Sequence, residues 1–495
     1  MMKPNQSIPD SDASAEFFRP KNLDDCIERI RRFHDAFAEK RDFWRNKNVA
    51  YYRELEHEYG FLIPPGHRVL EVGCATGDLI ASLNPSYGLG IDVSANMIEK
   101  AAQKFNRTNL RFEAVAVEHL EENIGTFDYI ILSDVLSFLY DIRAVFDKLK
   151  AFCHPRTRLV INFYSHLWQP VFKLSEALGH KARQPILNFV SPEDVVGLLQ
   201  LTGYDVILDY PRILLPKQVP LVTGFLNRFL AAFIPFRWFS FSRFVVARLP
   251  MQPFTEPPAV SVICPCRNEA GNIEEIVERL PEMGSRTELI FVEGHSRDNT
   301  YEKCLEIKGK RPDRDIKVFR QRGKGKGDAM RIGYSKASGD VLMILDADMT
   351  VPPEDLPAFY DALMSGNVEF VNGSRLVYVM ESKAMRFLNL CGNKFFGWAF
   401  SYLMSQTVKD TLCGTKVLIK SDYLKISSGR SYFGEFDPFG DFDLLFGASK
   451  LALRIHDLPV RYRDRQYGET QISRFRHGLM LLKMLFFGFF RLKCH

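Results

Sequence analysis

The sequence predicts an α/β protein built as two domains. Three observations carry that prediction. The chain is 495 residues long, more than one hydrophobic core ordinarily organises; a proline-rich break, "ARLPMQPFTEPPAV", occupies 247–260; and on both sides of it Val- and Ile-rich strands alternate with segments of helical period. Proline removes a backbone donor and fixes φ, so four prolines in fourteen residues stop both ladder and helix. The expected organisation is a first domain over 21–249, a linker over 250–258, a second domain over 259–477 and an interfacial segment over 478–495. The alternation implies parallel sheets joined by right-handed crossovers. The polar start, "MMKPNQSIPDSDAS", has no apolar centre and is expected to be a disordered tail over 1–20, neither signal nor anchor.

Apolar residues make up 46% and charged residues 25%, a globular balance, and a net charge of +5 gives no argument for nucleic acid. The basic residues concentrate late, in "RYRDRQYGETQISRFRHG" (461–478), which points to anionic substrates or a membrane surface. The nine cysteines lack metal-ligand spacing and read as reduced thiols in a cytosolic setting. No apolar run reaches the roughly 20 residues that span a bilayer. "PLVTGFLNRFLAAFIPFRWFSF" (220–241) and "GLMLLKMLFFGFF" (478–490) mix aromatics with cations and suit the headgroup boundary, buried core or a dimer face being the alternatives.

In the first half, "RVLEVGCATGDLIASL" (68–83) reads as strand, small-residue turn and helix, and "GLGIDVS" ends a second strand at Asp92. A third strand is read in "FDYIILSDVLSFLYD" (127–141). Over about 45–249 this half resembles the class I S-adenosylmethionine-dependent methyltransferases, the specific segments being "VLEVGCATG" and "GIDVSANMI". The resemblance implies a Rossmann-like fold in which Glu71, Gly73, Ala75, Gly77 and Asp92 bind the cofactor: the small residues line its methionine part and Asp92 holds its ribose. Where the family often has an aspartate after strand three, "FEAVAVEHL" offers Ala116, with Glu118 two residues on. Tyr164, His166 and Trp168 follow a later strand and are candidates to shape a pocket.

In the second half four strand ends carry polar or acidic residues. "AVSVICPCRNEAGNIEEIVERL" leads from a strand ending at Pro265 to a helix expected from Asn268 or Glu269; "TELIFVEGHSRDNT" closes on Glu293 with Asp298 in the turn. "RGKGKGDAMRIGYSKA" supplies a cationic loop before a helix, and "MILDADMT" puts Asp346 and Asp348 one residue apart at a strand end. Closely spaced carboxylates of this kind suit Mg²⁺ or Mn²⁺ on a diphosphate.

This order, from about 259 to 477, resembles the family 2 glycosyltransferases, and within them the polyprenol-phosphate (dolichyl-phosphate) hexosyltransferases. The resemblance implies a GT-A-type nucleotide-sugar-binding fold. It places Pro265, Glu269 and Asp298 along the nucleotide, Glu293 at the base, and Lys326 and Asp346 at the sugar diphosphate, with Asp348 and Asp346 as metal ligands. Asp441 and Asp443, in "FDPFGDFDLLFGASK", correspond to the family's catalytic acidic pair, and Arg375, Arg465 and Arg474 are candidates for the acceptor phosphate. Thr350 stands where relatives often have glutamine, and Gln471 where they have lysine.

The expectation is therefore a bifunctional enzyme, peripheral on the cytoplasmic face of the cell membrane. It would transfer a hexose, with inversion, from a nucleotide sugar to a polyprenyl phosphate, and a methyl group from S-adenosylmethionine. The alternative is a glycosyltransferase acting on a sugar hydroxyl with Asp441 as general base, the first domain methylating the same product or serving as a scaffold.

Overall fold

The computed structural model describes residues 20–182, 184, 188–233, 235–378, 387–434, 440–463, 465, 467 and 474–494, with the side chains at 166, 232, 387–391 and 474–477 left aside. The expected tail, Gln471 and the side chains of His166 and Arg474 fall outside that description. The chain divides into two compact units at Pro250/Met251, inside the proline-rich break.

The first unit begins with three helices, α1 (Leu23–Phe37), α2 (Arg41–Lys47) and α3 (Val49–Leu62), and then alternates. The order is β1 (Arg68–Val72), α4 (Asp78–Ser82), β2 (Tyr87–Asp92), α5 (Ala95–Lys104), β3 (Leu110–Ala114), β4 (Phe127–Ser133), α6 (Ile142–Leu149), β5 (Cys153–Tyr164), α7 (Gln169–Ala177), α8 (Pro192–Leu201), β6 (Asp205–Arg212), α9 (Val222–Arg228) and β7 (Ser242–Arg248). Helix starts follow local chemistry: Asn22, Ser94 and Asp141 each accept from a backbone amide three residues on, and Ser191 and Asp194 form a reciprocal capping box. The sheet order is β3-β2-β1-β4-β5-β7-β6. Residues such as Leu70, Ile130, Ile131, Val160 and Ile161 are fully buried, as strands covered on both faces must be.

The second unit runs β8 (Val260–Cys266), α10 (Ile273–Arg279), β9 (Thr287–Glu293), α11 (Thr300–Lys310), β10 (Asp315–Arg320), α12 (Lys326–Lys336), β11 (Val341–Ile344), α13 (Leu356–Met364), β12 (Phe370–Ser374), α14 (Phe387–Met404), β13 (Lys416–Ile419), α15 (Lys420–Ser428), α16 (Asp441–Lys450), β14 (Ile455–Pro459) and α17 (Arg474–Leu492). Its sheet order is β10-β9-β8-β11-β13-β12-β14.

Four expectations are corrected. Both sheets are mixed rather than parallel: β7 pairs antiparallel with β5 and β6, and β13 with β11 and β12. Alternation of strand and helix does not fix direction once a strand is inserted from the far side. The strand counted third is the fourth, because the short and partly exposed β3 precedes it and carries little apolar signal, and it stops at Ser133. The helix after β8 starts at Ile273, Asn268 having φ +56°, outside the helical region. Finally, α17 begins before 478 and belongs to the second unit's packing: Leu481, Met484 and Leu492 are buried, and a Cβ at Gly488 would fall 2.7 Å from the Phe446 ring.

In both units the strand order reverses beside the first strand, between β1 and β4 and between β8 and β11. Open α/β sheets bind ligands at the carboxyl ends of strands flanking such a switch point.

Candidate functional site

The first unit holds a cavity of about 170 Å³ at this edge, lined by Gly73, Ala75, Asp92, Asp134 and Tyr164 among others. The turn after β1 is tightly constrained. Gly73, Ala75 and Gly77 all have positive φ (+74°, +47°, +72°), and a Cβ at Gly73 would lie 2.8 Å from Val135 Cγ2. Asp92 organises the loop: its Oδ2 accepts from the Ala75 amide (2.9 Å) and its Oδ1 from the Ser94 amide (2.9 Å). Glu71 accepts from the Ile80 amide at 3.0 Å, and complete burial pushes its carboxyl up to about 8.

On the opposite wall sequence reasoning named Tyr164 but missed Asp134. Asp134 follows β4 at φ +54°, with Oδ2 accepting from Tyr51 (2.7 Å) and Tyr164 (3.0 Å) and Oδ1 from Asn162 Nδ2 (2.6 Å). Burial raises it to about 6 against the opposing pull of those three donors. An acid ending an apolar strand was a readable signal, and Tyr164 was read as a pocket residue; the other two partners, Tyr51 of α3 and Asn162 of β5, carried no local mark. Arg41 lines the cavity, donates from Nη1 to Tyr52 (2.7 Å), and keeps a buried Nε with no hydrogen-bond partner among the described residues.

Asp92, Arg41 and the tight turn fit S-adenosylmethionine: a carboxylate wall suits ribose hydroxyls, and an orphaned guanidinium N–H suits a carboxylate.

In the second unit, Asp346 and Asp348 leave β11 paired to cations. Lys326 Nζ, at the start of α12, lies 2.6 Å from Asp346 Oδ1. Burial works against both charges, yet each holds the other: Asp346 stays below the usual carboxylate range, and Asp346 and Asp441 keep Lys326 above the usual lysine range. Arg465 bridges Asp348 Oδ2 (2.6 Å) and Glu269 Oε1 (3.3 Å). Burial pushes Glu269 up to about 7, with Arg465 opposing and Asp348 adding. Thr350 donates its hydroxyl to Asp348 Oδ1 at 2.8 Å, so the residue in place of glutamine orients the carboxylate.

Asp441 opens α16, and its carboxylate lies 3.1 Å from Nζ of the fully buried Lys416. A Cβ at the preceding Gly440 would fall 2.7 Å from Gly327 Cα, so the N-terminal ends of α12 and α16 meet here. Helix N-termini attract negative charge. Asp443, two residues on and therefore on another helix face, is held by Arg430 (3.2 Å) and Arg331 (3.8 Å).

The remaining expected residues are not part of this group of ion pairs. Asp298 orders its loop, accepting from Ala270 and Thr300. Glu293 accepts from the Ser296 amide and faces Arg320 at 3.7 Å. Pro265 is half-buried and penultimate in β8, which runs one residue past the expected strand end, to Cys266. Arg375 commits Nε and Nη2 to the buried Asp410 (2.7 and 2.8 Å), so it orders the chain after β12 rather than offering an unpaired charge.

Among the described residues no group of three or more His, Cys, Asp or Glu could hold a metal ion. The donor set nevertheless fits Mg²⁺ or Mn²⁺, which bind through one or two carboxylates completed by substrate phosphates and water.

Residues 261–424 match the family model for glycosyl transferase family 2, and residues 70–159 match that for a methyltransferase domain. The chain thus joins a methyltransferase domain to a family 2 glycosyltransferase domain. It is 39% identical over 121 residues to a dolichol-phosphate mannosyltransferase of Pyrococcus furiosus, covering 24% of this chain and 33% of that protein. It is 24% identical over 238 residues to an undecaprenyl-phosphate 4-deoxy-4-formamido-L-arabinose transferase of Edwardsiella ictaluri, covering 47% and 67%. The match thus spans only about a third of the mannosyltransferase's length. Among solved structures, the glucosyl-3-phosphoglycerate synthase of Mycobacterium tuberculosis overlaps 48% of this chain and 80% of its own, with 18% identity and a TM-score of 0.36. Overlap at that level carries no argument about activity.

Proposed function

We propose that the C-terminal domain transfers a hexose from a nucleotide sugar to a polyprenyl phosphate, with inversion, and that the N-terminal domain transfers a methyl group from S-adenosylmethionine. The carrying observation is the charge around Asp441. Its carboxylate is already paired with the buried Lys416, and its charge also acts on Lys326, which grips Asp346. A sugar-hydroxyl acceptor needs a carboxylate available to take a proton; a phosphate acceptor is already an anionic nucleophile and needs cations for placement. The relatives named for dolichol- and undecaprenyl-phosphate transfer support the same class of acceptor.

In this reading an acceptor phosphate oxygen bonds to the anomeric carbon as the bond from that carbon to the nucleotide diphosphate breaks on the opposite face. Asp348 and Asp346 would hold a divalent cation, which neutralises charge on the departing diphosphate when bound. Lys326 and Arg465 then exchange carboxylate partners for phosphate oxygens, and Glu269 takes up the remaining polar contact along the nucleotide. In the other domain Asp92 would hold the cofactor ribose and Arg41 its carboxylate, while the tight turn at Gly73 excludes water from the methyl donor. No described helix is long and apolar enough to cross a membrane. The exposed Phe486 and Leu482 on α17 and Trp398 on α14 support attachment to a membrane surface, which in this reading is the inner one.

The test offers the purified chain labelled nucleotide sugars, Mg²⁺ or Mn²⁺, and a membrane lipid extract. Label is expected in a polyprenyl phosphate fraction; label found only in water-soluble glycans overturns the reading.

A further inference from the structure

Two excursions leave the methyltransferase sheet near its cavity: residues 165–178, containing α7, and residues 213–241, containing α9. Together they expose Leu174, Leu178, Leu221, Phe225, Trp238 and Phe239, with Leu221 95% and Trp238 67% accessible. Scattered exposed apolar residues are ordinary, but this many within two short segments mark an interaction surface.

The charge pattern identifies what fits it. Residues 213–241 contain Lys217, Arg228 and Arg237 and no Asp or Glu, and α7 adds Lys173 and Glu176. A surface of aromatics and cations whose one acid, Glu176, is paired with Lys181 (3.0 Å) complements anionic headgroups over an apolar layer. A second copy of the same face would set cation against cation, which disfavours self-association.

Both excursions are pinned over one wall of the cavity. Tyr164, which donates to Asp134 inside it, packs against Phe172 of α7 (5.3 Å) and against Phe241, which closes the second excursion (5.1 Å). Trp168 Nε1 donates to the Phe239 carbonyl at 3.0 Å, tying the two segments together.

We propose that this face of the methyltransferase domain docks on an anionic lipid surface. An acceptor entering the cavity from this side then arrives along the bilayer. The docking does not depend on the glycosyl-transfer reading, which places lipid only at the other domain.

The experiment uses the full chain with vesicles of phosphatidylcholine and phosphatidylglycerol, against pure phosphatidylcholine. Tryptophan emission is compared between Trp398→Phe, which removes the tryptophan that the other domain offers to lipid, and Trp398→Phe/Trp238→Phe. With the mixed vesicles Trp398→Phe should show a blue shift and quenching by brominated lipid that Trp398→Phe/Trp238→Phe lacks. Leu221→Ser/Phe225→Ser/Trp238→Ser/Phe239→Ser should bind mixed vesicles about tenfold more weakly, with circular dichroism confirming that it folds. The Trp238 signal should persist in Leu482→Ser/Phe486→Ser, which alters only the exposed face of α17. No Trp238 response to mixed vesicles overturns the proposal. So does a Trp238 response that tracks protein concentration without vesicles and accompanies dimers in sedimentation, because the face would then be covered by a second copy.

Discussion

Lys326 Nζ lies 2.6 Å from Asp346 Oδ1, and Gly414 closes the space behind the pair: a Cβ there would fall 1.9 Å from Asp346 Oδ2 and 2.5 Å from Lys326 Nζ. Both obstructing atoms end flexible side chains, so Gly414→Ala should displace the pair without unfolding the domain. Sugar transfer should fall about tenfold or more, equivalent to ~1.4 kcal/mol in the barrier, while the unfolding midpoint stays near wild type. A variant with the wild-type rate would remove the pair from the donor site.

Thr350 and Arg465 hold opposite oxygens of Asp348. Removing the hydroxyl with Thr350→Val should weaken Mn²⁺ binding in the presence of a nucleoside diphosphate by about 10–100-fold, the usual cost of losing a group that orients a metal ligand. Calorimetry with and without chelator measures it. Unchanged Mn²⁺ affinity argues that Asp348 is not the ligand.

Asp441 and Lys416 form a buried ion pair. Asp441→Asn leaves a buried ammonium uncompensated and should cost about 3–5 kcal/mol of domain stability, read by denaturant unfolding. Adding Lys416→Met should restore much of it. In the folded double variant, transfer to a phosphate acceptor should survive; complete loss while nucleotide binding is retained favours a general base and a hydroxyl acceptor.

Glu71 sets a pH dependence in the first domain. Its ordinary value of 4.5 is raised to about 8 by burial, so between these limits the folded chain holds a proton that the unfolded chain releases. The stability this group contributes is greatest below the unfolded value and declines as pH rises toward about 8. Glu71→Gln mimics the protonated acid, so the difference in unfolding midpoint between variant and wild type should widen in the variant's favour from about pH 5 to about pH 8. Parallel curves would contradict the buried, protonated carboxyl.

The two domains, the turn after β1, Asp92 and the two aspartates after β11 were legible because each is a local pattern: strand period, small residues in a turn, acids at a strand end. Asp441 was legible as a carboxylate at a helix start. Its partner was not, because Lys416 lies 25 residues away on β13 and nothing local marks it as buried. Tyr51, Arg41 and Tyr52 were equally hidden, coming from α2 and α3 ahead of the first motif.

The sequence by itself determined the two α/β units, the break between them and the strand ends where polar chemistry gathers, since these depend on periodicity and on the backbone limits of proline and glycine. Tertiary structure decided strand direction in β7 and β13 and the ion-pair partners of the acidic residues. It also committed Arg375 to Asp410 and left a cationic apolar face exposed beside the methyltransferase cavity. Those outcomes depend on which distant groups share a low-dielectric space or are left in water, and no local spacing encodes that.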